Sequence, residues 1–127
     1  MYILLDTHSV LWFLIGSDKM PEAAKEIIYD TKNTIYVSIA TIWEVAIKIS
    51  IEKLSFDGGI NGFIDAIDDN GFLLLGISSE HTKAVTSLPF IHRDPFDRML
   101  VAQAMVEDMV LMTTDANNLK YEIKSIW

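Results

Sequence analysis

Strands alternating with helices along the chain predict an α/β protein of three layers, in which helices cover both faces of a central parallel sheet of four to five strands. Three observations carry that expectation. The strand-like segments Tyr2-Ile3-Leu4-Leu5 and Phe72-Leu73-Leu74-Leu75 are continuous apolar runs rather than alternating ones, a pattern that suits strands buried on both sides. Between the strands lie segments with apolar residues at helical spacing, such as Ile39, Ile42, Trp43, Ala46 and Ile47. Finally, 127 residues suffice for a single domain spanning 1–127, able to bury about two-thirds of its unfolded surface.

Taken in order, Tyr2–Leu5 is the first strand, and Thr7 or Ser9 caps a short apolar helix through Ile15 that Gly16 stops. Pro21 opens a helix filled by Glu22–Asp30. Thr34–Val37 is the second strand, and Ser38 begins a longer helix through Ile49. Gly58, Gly59 and Gly62 mark a turn before a helix around Phe63–Asp69, which Asn70-Gly71 ends. Phe72–Leu75 forms the third strand, Ser78 or Ser79 starts a helix to about Ser87, and Pro89–Asp94 is a loop. Pro95 then suits the first turn of a helix to about Asp108. Val110–Thr113 is the fourth strand, and the tail Tyr121–Trp127 adds a short edge strand.

The bulk numbers narrow the classes of function. Mean hydropathy is +0.27, yet no apolar run approaches the roughly 20 residues that cross a bilayer, so a soluble protein without a membrane segment is expected. The chain begins at once in a strand-like run, without the pattern of a secretory signal. There is no cysteine, which excludes disulfides and thiolate metal sites and fits a reducing cytoplasm. A net charge of −8 argues against a broad basic grip on nucleic acid, although a bound metal would invert the sign locally.

Four acidic residues carry most of the functional information. Asp6 closes the first strand and Asp115 follows the fourth, while Glu44 and Asp97 sit inside amphipathic helices beside bulky apolar neighbours. In parallel sheets sites form beyond the carboxyl ends of the strands, where Asp6 and Asp115 fall. Two carboxylates about 4 Å apart repel by roughly 4 kcal/mol at a partly buried site, so gathering several calls for a cation or bound protons. Each position also has a plainer reading. Asp6 caps a helix as readily as it binds a metal, Asp94 is well placed as a cap before Pro95, and Asp115 could simply leave a strand in a turn. Glu44 stands four residues before Lys48, a favourable helix pair, or else Lys48 meets a substrate phosphate. His8, His81 and His92 lack metal-ligand spacing and read as surface or loop residues. Trp12-Phe13 and Trp43 read as core or interface rather than as a stacking platform for bases. The Gly58-Gly59 turn has neither a phosphate-loop nor a dinucleotide fingerprint.

Together, Leu4-Leu5-Asp6-Thr7, Ser38 through Glu44, the segment Asp94-Pro95-Phe96-Asp97-Arg98-Met99-Leu100-Val101-Ala102-Gln103-Ala104 and Leu111-Met112-Thr113-Thr114-Asp115 resemble the PIN domain, and within it VapC-type toxins of toxin–antitoxin pairs. The resemblance covers residues 1 to about 120 in order, and Asp-Pro-Phe-Asp-Arg is its most specific part. It implies a PIN-like three-layer fold and an acidic quartet of Asp6, Glu44, Asp97 and Asp115 that binds Mg²⁺ or Mn²⁺. Thr7, Lys48 and Arg98 are substrate-binding candidates. The implied activity is a metal-dependent endoribonuclease, usually dimeric and neutralised by a VapB-type antitoxin. A catalytically silent or RNA-processing PIN domain is the main alternative. A receiver-type phosphoacceptor domain would need further acidic and lysine positions of which only Asp6 is present, and a haloacid-dehalogenase-like phosphatase would want an aspartate where His8 stands.

Overall fold

A computed structural model describes residues 1–127. Five strands, β1 (Tyr2–Leu5), β2 (Thr34–Ser38), β3 (Leu73–Leu75), β4 (Val110–Met112) and β5 (Ser125–Ile126), form one sheet in the order β3-β2-β1-β4-β5. All neighbours run parallel; Leu5 lies opposite both Val37 and Met112. The helices are α1 (Thr7–Ile15), α2 (Glu22–Tyr29), α3 (Ile39–Ser50), α4 (Gly59–Asp69), α5 (Ser79–Ser87) and α6 (Pro95–Glu107), with a short 3-10 helix at Asn118–Lys120. The expected α/β/α architecture is therefore present.

The pleat sorts the apolar strand residues into two cores. Ile3, Leu5, Ile35 and Val37 face α1 to α4, where Val10, Val45 and Phe63 complete the layer. Leu4 and Leu111 face the other way, against α5 and α6, packing with Leu100, Val101 and Ala104. Successive strand residues point to opposite faces, so a run that is apolar throughout fills both cores. Each fully buried Leu, Ile or Phe contributes roughly 1.5–3 kcal/mol.

Local signals set the element ends. Gly16 closes α1 at φ 67, where its N–H reaches the Phe13 carbonyl, a left-handed position that glycine adopts without steric cost. Ser38 caps α3 and Ser78 caps α5 through hydrogen bonds to Ala40 and His81. Two expectations need correction. The cap of α1 is Asp6 rather than Thr7 or Ser9, because its carboxylate is the group that faces the orphan amide of Ser9. The third strand is an edge, with Leu73 and Leu74 each 49% exposed, since no strand lies beyond it. The tail does add the expected short edge strand, Ser125–Ile126 paired with β4.

The chain steps outward from β1 through β2 to β3, then returns to the other side of β1 with β4 and β5. The strand order thus reverses at β1. Loops leaving β1 and β4 diverge to opposite faces there, opening a crevice at the carboxyl rim of the sheet.

Candidate metal centre

Asp6 and Asp115 flank that crevice. Asp6 is 3% exposed, and its Oδ1 accepts from the Ser9 N–H at 2.8 Å and from the Ser9 hydroxyl at 2.6 Å. It is a cap, as the plainer reading had it, yet all these hydrogen bonds fall on one oxygen. Asp115 follows β4, where its Oδ1 accepts the backbone N–H groups of Asn117 (2.8 Å) and Asn118 (3.3 Å). Asp97 arrives from the first turn of α6. Asp94 caps that helix through the N–H groups of Phe96 (2.8 Å) and Asp97 (3.1 Å). One Asp97 oxygen accepts from the Asn118 side-chain amide at 3.2 Å, and the other lies 3.3 Å from His92 Nε2. The same nitrogen is 3.1 Å from Asp115 Oδ2, and ligand atoms of His92, Asp97 and Asp115 all lie within 4.8 Å of one another.

The two carboxylates titrate in opposite directions. Burial is the main reason that Asp97 is pushed up from 3.8 to about 6; the Asn118 hydrogen bond opposes this, Asp94 adds to it, His92 opposes it and Asp6 adds to it. Burial also raises Asp115, but hydrogen bonds from His92 and from the amides of Asn117 and Asn118 outweigh it, holding the group below its ordinary value. The crevice is short of positive charge at Asp97 in particular. Hard carboxylate oxygens in such a setting form a donor set that fits Mg²⁺ or Mn²⁺.

Glu44 projects from α3 and is 7% exposed. Its Oε1 accepts from the Thr7 hydroxyl at 2.7 Å, and Oε2 from Lys48 at 2.9 Å. Thr41 lies 3.2 Å from Thr7; the single Thr7 proton goes to Glu44, so Thr41 is the donor of that bond. The helix pair with Lys48 is thus present, and Thr7 ties Glu44 to the residue next to Asp6. Thr7 and Lys48 are both engaged with Glu44.

Arg98 is placed otherwise than expected. It is 6% exposed, and its guanidinium donates to the carbonyls of Pro89 (2.9 Å), Val85 (3.2 Å) and Leu88 (3.4 Å) and to the Tyr121 hydroxyl (3.3 Å). A side chain fully engaged inside the fold is a strut for the loop before α6, not a hand for substrate. His81 is also corrected: it is 1% exposed and forms a capping box with Ser78 while contacting Glu107 at 2.9 Å. Trp43 is 59% exposed and meets Phe96 edge-on, which fits the interface side of its reading.

Three residues at the crevice escaped the sequence argument. Ser9 had a signal, standing three residues after a capping aspartate, the position whose amide a cap receives. Asn118 stands three residues after Asp115, and its two N–H groups serve Asp115 and Asp97. His92 was set aside for want of ligand spacing, and the loop alone brings it to the two aspartates.

Comparison with protein families matches residues 3–123 to the PIN domain. The chain belongs to the PIN domain family. Asp6, Glu44, Asp97 and Asp115 all fall inside the matched residues, and the receiver and phosphatase readings are set aside. No curated protein matches the sequence. Among solved structures the PIN fold of this chain is similar to VapBC2 from Rickettsia felis bound to a promoter DNA fragment, at 15% identity and TM-score 0.70, covering 99% of this chain and 98% of that one. It is similar to VapBC-1 from nontypeable Haemophilus influenzae, at 14% identity and TM-score 0.71, covering 99% and 97%. FitAcB from Neisseria gonorrhoeae is similar at 16% identity and TM-score 0.64, covering 98% and 96%. No helix in the chain is long and apolar enough to cross a membrane.

Proposed function

We propose that this protein is a metal-dependent endoribonuclease of the VapC type, hydrolysing RNA phosphodiester bonds at the acidic crevice and neutralised in the cytoplasm by a VapB-type antitoxin. The observation that carries the reading is the convergence of Asp97 and Asp115 on one point, with Asp6 near enough to raise the Asp97 pKa. Membership of the PIN family and the likeness to VapBC complexes support the same reading. A second copy of the chain completes the functional unit, the exposed Trp43 and Phe90 being suited to a dimer interface.

Asp6 and Asp97 are the principal metal ligands, with Glu44 and Asp115 completing the site directly or through water. Mg²⁺ or Mn²⁺ held there supplies positive charge against the charge that develops on a phosphodiester during displacement. Thr7 and Lys48 hold Glu44 in place, one on each carboxylate oxygen. Asn118 and the Asp115 turn hold the two aspartates at a set separation. Lys48, whose side chain is 43% exposed, has donors left over for a substrate phosphate, whereas Arg98 acts only by shaping the loop.

Purified protein should cleave RNA with Mg²⁺ or Mn²⁺ and not with chelator. Asp6→Asn or Asp97→Asn should abolish cleavage while the fold is retained. Undiminished cleavage by either variant at matched purity would reject the assignment, and a wild type that binds metal but leaves RNA intact would favour the catalytically silent PIN domain.

A further inference from the structure

The His92 ring lies between Asp97 and Asp115, close enough to be mistaken for a third ligand. Building on the metal-centre reading above, we propose that His92 is a positioning residue, a fixed Nε2–H donor that holds Asp115 Oδ2 beside Asp97 and leaves the metal an all-oxygen donor set. Its other nitrogen decides the matter. The backbone N–H of Asp94 donates to His92 Nδ1 at 3.1 Å. A backbone N–H can only donate, so Nδ1 carries a lone pair and the proton of the neutral ring sits on Nε2. That proton goes to Asp115 Oδ2 at 3.1 Å, while Asp97 Oδ2 lies 3.3 Å from the same nitrogen.

Ligation is disfavoured by the same geometry. Were Nε2 to bind a metal, the ring proton would have to move to Nδ1 and face the Asp94 N–H, donor against donor. Were Nδ1 to bind one, the ring would have to leave Asp94, whose carboxylate and amide both belong to the start of α6. Ligating histidines typically give their second N–H to a carboxylate or carbonyl; here that second partner is itself a donor.

The ring is held from behind as well. The His92 N–H donates to the Tyr121 hydroxyl at 2.9 Å, and Arg98 donates to that same oxygen at 3.3 Å. Tyr121 is buried in the core beneath α6, so loop and ring move only with the helix that carries Asp97. One residue thereby fixes Asp115 against the start of the helix that carries Asp97.

The test compares His92→Gln, which keeps an amide N–H donor but no ligating nitrogen, with His92→Ala, which keeps neither; circular dichroism confirms that each is folded. Mn²⁺ binding to the full chain is followed by electron paramagnetic resonance. The Gln variant should bind as the wild type does, and the Ala variant about tenfold or more weakly. Long-range ¹⁵N–¹H spectra of the wild type should show the Nε2–H tautomer both without metal and with Mg²⁺, a readout that stands even if His92→Ala does not fold. Equal loss in both variants, undiminished binding by His92→Ala, or a proton on Nδ1 in either state would overturn the proposal. A wild type that binds no Mn²⁺ would remove the metal-centre reading and this one with it, a failure distinguishable from the others because the tautomer in metal-free protein is read independently.

Discussion

Asp97 carries the largest electrostatic cost in the crevice. Its folded pKa of about 6 lies above the ordinary 3.8, so between those values the native state binds more protons than the unfolded chain. Metal-free protein should therefore keep the full benefit below about pH 4 and lose it as pH rises to about 6. The difference is worth at most about 3 kcal/mol, and less after solvent screening of a side chain that is 22% exposed. Asp97→Asn should raise the melting temperature of metal-free protein at pH 7 and flatten its rise on acidification between pH 6 and 4. Asn118 can accommodate the change, because its own Oδ1 is buried without a partner and a turned amide would present it to the new NH₂ group. Thermal melts of both proteins across that range check this, and a lower melting temperature for the variant would contradict it. Asp115 behaves oppositely: its depressed pKa contributes stability above 3.8 that is lost only as pH falls further. Thr7→Val, which strips Glu44 Oε1 of its 2.7 Å donor, should cost about 1–3 kcal/mol in denaturant unfolding.

The start of α6 and the loop before it form the element that assembles the crevice. Asp94 caps the helix, Pro95 occupies its first turn, and Arg98 ties residues 85, 88 and 89 to it through their carbonyls. Arg98→Met should destabilise the fold by about 3 kcal/mol, since three carbonyls, that of buried Leu88 among them, lose their donor. Arg98→Lys should recover little of this, because one ammonium cannot reproduce the planar fork; chemical denaturation of the pair measures both. Asp94→Ala should cost about 1 kcal/mol through the lost cap, and a value near zero would show that Pro95 alone suffices to start the helix. The cap was legible from Asp94-Pro95, but the role of Arg98 was not: Asp97 beside it suggests a surface, while its partners lie nine to 23 residues away.

Across the molecule, the reversal of strand order at β1 brings together groups separated by over a hundred residues, such as Asp6 and Asp115. Because the carboxylates repel in the folded state and are dispersed in the unfolded one, a divalent cation should bind only the former. Mg²⁺ at one hundred times its dissociation constant should then stabilise the protein by about 2.7 kcal/mol. A melting temperature unchanged by Mg²⁺ or Mn²⁺, measured by scanning calorimetry, would contradict that coupling. The apolar side chains left at the surface, Trp43 (59% exposed) and Phe90 (86% exposed), predict a dimer by sedimentation that Trp43→Glu shifts toward monomer.

Short apolar runs, helical periodicity, caps and the Asp-Pro segment are local, and they were enough to foresee a parallel α/β/α fold and to single out Asp97 and Asp115, which the fold brings together. Local patterns fail where a property depends on what the chain meets at long range. The exposure of β3 follows from its place at the sheet edge, the burial of Arg98 from carbonyls on α5 and its loop, and the position of His92 from the approach of α6 to β4. Tautomer, pKa and ligand geometry belong to that second class, because each is set by the distance and polarity of groups that only folding brings near.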